Sequence, residues 1–87
     1  MRIINVITES AGVMENVESF PIFEDQLSDD IIKEAEDLFE EAIRKNYRFS
    51  DDENPEEIIE NAKQDGYFTD ESNNYFTVYL IWSNVNM

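Results

Sequence analysis

Eighty-seven residues carry 21 Asp and Glu against 6 Lys and Arg, with neither His nor Cys, for a formal charge of −15. That composition removes the usual nucleophile–base pairs, thiolate zinc sites and disulfides, and it disfavours direct contact with nucleic acid or an anionic membrane. An apolar fraction of 41% is ordinary for a folded chain, so a single domain over residues 1–87 with a modest core is expected.

In chain order, Arg2 to Thr8 (RIINVIT) is rich in β-branched residues and reads as a first strand. Glu9 to Gly12 is a turn candidate, with Gly12 able to supply a positive φ. Val13 to Phe20 follows as a weaker second strand, giving a hairpin. Pro21 cannot donate to a ladder, so it ends this strand or confines it to a sheet edge. Phe20, Ile22 and Phe23 are expected in the core.

Leu27 to Asn46 (LSDDIIKEAEDLFEEAIRKN) is the strongest helical signal. Ile31, Ile32, Ala35, Leu38, Phe39, Ala42 and Ile43 form one stripe at the 3.6-residue period. Ser28 is expected as N-cap, Leu27 and Ile32 as a hydrophobic staple, Asp29 and Asp30 in the first turn, and Arg44 and Lys45 in the last. Asn46 is the expected C′ residue. Ion pairs are expected for Asp29–Lys33, Glu40–Arg44 and Glu41–Lys45.

Tyr47-Arg48-Phe49 reads as an aromatic connector seated against the sheet. After the acidic loop 50–53, Asn54 as N-cap, Pro55 at N1 and Glu57 at N3 open a second, shorter helix that Gly66 closes. Tyr67 to Thr69 is expected as a third strand, and 70–74 as a polar loop. Tyr75 to Trp82 (YFTVYLIW) is the strongest strand signal. Phe76, Val78, Leu80 and Trp82 line one side of it, and Tyr75, Thr77, Tyr79 and Ile81 the other, which suits a central strand. The expected fold is α+β in the order β-β-α-α-β-β, an antiparallel sheet of three to four strands packed against one long and one short helix.

No catalytic residue is expected. The serines have only Lys33 and Lys63 as conceivable bases, and both are expected to face solvent. Acidic pairs are too abundant for any one of them to signal glycoside hydrolysis. Asp51-Asp52-Glu53 with Glu56 and Glu57 could attract a hard cation, but calcium-loop spacing requires glycine where Glu56 stands. Neither a metal nor a cofactor is expected. No run reaches the ~20 apolar residues of a membrane span, and no basic segment precedes an apolar one, so a cytoplasmic location is expected.

The acidic residues themselves are the candidate working surface. From Glu24 to Glu60 there are fifteen acidic and four basic residues, a net of −11. Asp29, Asp30, Glu34, Glu36, Asp37, Glu40 and Glu41 lie away from the stripe, and Asp51, Asp52, Glu53, Glu56, Glu57 and Glu60 extend the charge. Helical carboxylates at i, i+3 and i+4 stand ~5–6 Å apart, on the scale of phosphates along a nucleic-acid strand. In composition the chain resembles small, very acidic inhibitors of restriction and CRISPR enzymes, a resemblance of charge class alone. The expected function is therefore non-catalytic docking to a basic protein surface, as an inhibitor or regulator of a DNA- or RNA-acting enzyme. The alternative is an accessory domain that forms a homodimer through aromatic residues of its sheet: Tyr67, Tyr75, Tyr79, Ile81 and Trp82.

Overall fold

The computed structural model describes residues 2–23, 28–73 and 75–84. Its elements are β1 (Arg2–Ser10), β2 (Val13–Ile22), α1 (Ser28–Asn46), α2 (Pro55–Asp65), β3 (Tyr67–Asp70) and β4 (Phe76–Asn84). The four strands form one antiparallel sheet in the order β2-β1-β4-β3, with α1 and α2 on one face. The expected α+β architecture and its element order are present.

The β1–β2 hairpin is tighter than the sequence suggests. Both strands run up to a two-residue turn, Ala11-Gly12, with φ of 52° and 79°. Two successive positive φ values are the sign pattern of the turn whose twist matches a hairpin. The pairing shifts between Thr8 and Glu9, leaving Glu15 as the extra residue of a bulge. Beyond Phe20, β2 continues through Pro21 to Ile22. It can do so because β2 is an edge strand, where a missing N–H breaks no ladder.

Alternation splits the sheet into two faces. Toward the helices point Ile4 and Val6 of β1, Ile22 of β2, and Phe76, Val78 and Leu80 of β4, all buried. Onto them α1 sets Ala35, Phe39 and Ile43, each with no exposed surface, and α2 adds Ile59 and Ala62. Phe20 packs against this cluster, whereas Phe23, expected in the core, is 47% exposed. It stands one residue past the end of β2, where the sheet no longer dictates its direction.

On the opposite face the register arranges side chains in rows across the strands. Val17, Ile7, Tyr79 and Tyr67 make one row through all four strands, and Ser19, Asn5 and Ile81 make the row beside it. Pro21, Ile3 and Ser83 lie outside the second row, and Met14, Glu9, Thr77 and Thr69 outside the first. The helices pack on the other side; on this face Thr77 is buried and the remaining residues of the rows are half-buried or exposed.

α1 begins at Ser28 with Asp29 and Asp30 in its first turn and Arg44 and Lys45 in its last. The Leu27 staple and the Ser28 capping side chain fall outside the described residues, as does Asn74 in the 70–74 loop. Asn46 closes α1 from within the helix: its Nδ2 donates to the Ala42 carbonyl at 2.9 Å. α2 is capped as expected. Asn54 Oδ1 accepts from the Glu57 N–H at 3.3 Å, and Gly66 (φ 85°) donates its N–H back to Ala62 O at 2.8 Å. The Tyr47 ring meets those of Phe49 and Phe68 edge-on, at 4.9 and 5.1 Å, which seats the connector against β3.

Candidate functional site

Turning the α1 stripe onto the sheet fixes where its carboxylates go. Glu34, Asp37 and Glu41 fall on the flank beside β2, and Glu18 of β2 faces them. Together they rim a groove of about 390 Å³ whose floor is Phe20 and Leu38. Leu38 and Glu41 also line a second recess of about 280 Å³, so the channel continues along α1 over Val6, Ala42 and Phe76 toward Asn16, Lys45 and Asn46. Among the described residues, Asp37 is the one rim carboxylate of the four with an ion pair, an exposed 3.4 Å contact from Lys33. Such pairs contribute little and are easily exchanged.

The far flank of α1 is neutralised differently. Glu40 accepts a hydrogen bond from Arg44 at 3.1 Å and forms an ion pair with Lys63 of α2 at 3.6 Å. Lys63, expected to face solvent, has a side chain only 19% exposed because it spans the gap between the helices. Of the three expected α1 pairs, Glu40–Arg44 forms. Lys33 turns to Asp37 instead of Asp29, an acid being available one turn away on either side, and Glu41–Lys45 does not form. Glu36 is half-buried, and Asp29 and Asp30 are exposed.

Residues 51–60 do not join the groove. α2 packs on β3 and α1, at the opposite edge of the sheet from β2. Asp51, Asp52, Glu56, Glu57 and Glu60 are exposed there. Glu53 turns inward: both its oxygens accept from the Tyr47 hydroxyl, at 2.8 and 3.0 Å, and Oε1 also accepts from the Ser50 N–H at 2.9 Å. The Ser50 N–H first, and then the Tyr47 hydroxyl, hold the Glu53 carboxyl below the usual carboxylate range. Tyr47 is raised in turn, chiefly by its hydrogen bond to Glu53, and further by burial and the negative charges of Glu53 and Asp70. Glu53 is thus a loop anchor and offers no free charge. Among the described residues no group of three acidic side chains converges to hold a metal ion, and no helix is long and apolar enough to cross a membrane.

The aromatic set separates in the same way. Tyr67, Tyr79 and Ile81 stand on the uncovered face of the sheet. Trp82 lies on the helix side, opposite Ile4 and past the helices' cover, with the Arg2 guanidinium 4.1 Å from its ring centre. Tyr75 precedes β4 at a positive φ of 53° and belongs to the turn.

Sequence reasoning missed Glu18 and Phe20 as groove residues, and also Asp70. The Asp70 carboxylate is buried, accepting from the Ser72 N–H at 3.0 Å and the Ser72 hydroxyl at 2.7 Å to fold the β3–β4 turn. The alternation of β2 carried the signal for Glu18, since Glu18, Phe20 and Ile22 share a face. Which helix meets that face depends on pairing between distant strands. No family model, curated protein or solved structure matches this chain.

Proposed function

We propose that this protein is a non-catalytic binding module that docks a basic surface of another protein into the groove between α1 and β2. The observation that carries this reading is the groove's make-up: four carboxylates, three of them without an ion-pair partner among the described residues, around an apolar floor of Phe20 and Leu38. A lysine or arginine side chain has the matching construction, an apolar stem and a cationic end. Carboxylate spacing along α1 is also on the scale of phosphate spacing, so the basic cleft of a DNA- or RNA-acting enzyme is the most specific target that fits. The protein would then act as an inhibitor or regulator of that enzyme.

Capture from native cell extract on the immobilised protein tests the reading. The variant Glu34→Lys/Asp37→Lys/Glu41→Lys should lose a basic partner that the wild type retains, whereas Glu56→Lys/Glu57→Lys/Glu60→Lys on α2 should keep it. The wild-type complex should weaken steeply between about 50 and 200 mM salt. A partner held equally by the groove variant would refute the assignment.

A further inference from the structure

We propose that the uncovered face of the sheet is the interface of a homodimer, in which two copies stack face to face with their helices outermost. This surface lies across the sheet from the groove and stands independently of it.

Charge distribution is the first observation. Among the described residues, Glu9 is the one carboxylate whose place in the pairing points to this face, and no Lys or Arg does. A face left to water in a chain that is 31% charged would be expected to share that charge. Instead its central row, Val17, Ile7, Tyr79 and Tyr67, is apolar or aromatic across every strand, with Ile81 alongside. Val17 and Ile81 are 45% and 41% exposed.

Five of the polar side chains here are already paired with one another. Ser19 Oγ donates to Asn5 Oδ1 at 2.8 Å, and Asn5 Nδ2 donates to Ser83 Oγ at 3.2 Å. Thr69 and Thr77 share a hydrogen bond of 3.1 Å. Covering the face therefore strands none of these five, which confines the desolvation penalty to Glu9 and the Tyr67 and Tyr79 hydroxyls.

A second copy is the occupant that the charges favour. Each chain is −15, and stacked sheets pack only ~10 Å apart. Joining the nearly uncharged faces keeps the two acidic helical layers on opposite outer surfaces, separated by both sheets and well beyond the ~8–10 Å screening length. The area is sufficient. With β1, β2 and β4 of nine or ten residues and β3 of four, ~3.3 Å per residue and ~4.8 Å between strands give roughly 500 Å² of projected face per copy. Two copies bury about 1,000 Å², the lower bound for a specific interface. A two-fold axis lets the same row meet itself.

Sedimentation velocity on the full chain up to about 100 µM should show a species of twice the 10.3 kDa chain mass. Val17→Glu/Ile81→Glu should return it to one chain mass with the circular dichroism melt retained, and the groove variant Glu34→Lys/Asp37→Lys/Glu41→Lys should stay dimeric. The dimer should tighten as salt rises, opposite to capture of a basic partner. A wild type of one chain mass throughout, or a dimer that survives in the folded Val17/Ile81 variant, overturns the proposal. Hydroxyl-radical footprinting of the wild type needs no variant. On raising concentration, oxidation of Met14, Tyr67 and Tyr79 should fall while that of Tyr75 and Trp82 holds. Protection of Trp82 with Tyr67 and Tyr79 unchanged would equally overturn it.

Discussion

Glu53 shows how little composition says about an individual carboxylate. In the sequence it is the third of a run, Asp51-Asp52-Glu53, and nothing distinguishes it from its neighbours. In the structure the loop folds back, so that the Tyr47 hydroxyl and the Ser50 N–H both donate to it. Because its folded pKa is lowered from the ordinary 4.5, its contribution to stability is present above that value and lost as pH falls through the folded one. Tyr47 is raised from 10.0, so its contribution is full below pH 10 and lost as pH rises through its folded value. Self-repulsion among the other acids relaxes on acidification and moves the wild-type melt the other way, so a difference measurement is needed. The melting temperature of Glu53→Gln should lie below that of the wild type at neutral pH, and the gap should close as pH drops under 4.5. Paired circular dichroism melts across that range check it, and a gap independent of pH would contradict the linkage.

The elements were legible to the extent that their causes are local. The α1 stripe and the α2 cap pair were written in spacing and in Asn54, Pro55 and Gly66, and they stand where spacing placed them. The strand ends were not. β1 runs on to Ser10 because Val13 of β2 pairs with it, and β4 to Asn84 because Arg2 of β1 does. Tyr75 drops out of β4 because it sits, at a positive φ, in the turn that the Phe76 N–H closes onto the Asn73 carbonyl at 2.9 Å. Within α1, the stripe predicts two distinct costs. Phe39 is fully enclosed, so Phe39→Ala should destabilise by about 3–5 kcal/mol, a large share of the stability of a domain this size. Leu38 is half-buried in the groove floor, so Leu38→Ala should cost clearly less and leave a folded protein in which groove binding can be assayed. Urea denaturation of both variants settles the order, and equal losses would show that the groove floor is core.

Viewed whole, the molecule segregates most of its charge by layer: acids on the helices, the loops and, through Glu18, the helix side of β2, with Glu9 pointing to the open face of the sheet. The layer itself could be read from the alternation of β4, with its aliphatic and amphipathic sides. The division of the acids into a β2-side groove and a β3-side cluster could not, since it follows from which strand lies at which edge. Fifteen uncompensated negative charges oppose compaction. The urea midpoint should therefore rise between about 10 mM and 1 M salt, as the screening length shrinks from ~30 to ~3 Å. A midpoint flat over that range would mean that the charges are already compensated.

The sheet order has a further consequence for synthesis. β4 follows every other described element in the chain yet lies between β1 and β3, so β1 cannot acquire its central neighbour until residues 76–84 have been made. Up to that moment the described elements already made are a bare hairpin, two amphipathic helices lacking half their platform, and β3 with no strand beside it. The four-stranded sheet is thereby completed by its latest-made strand, and the aliphatic surfaces of the hairpin and of α1 stay open to chaperones until that strand arrives.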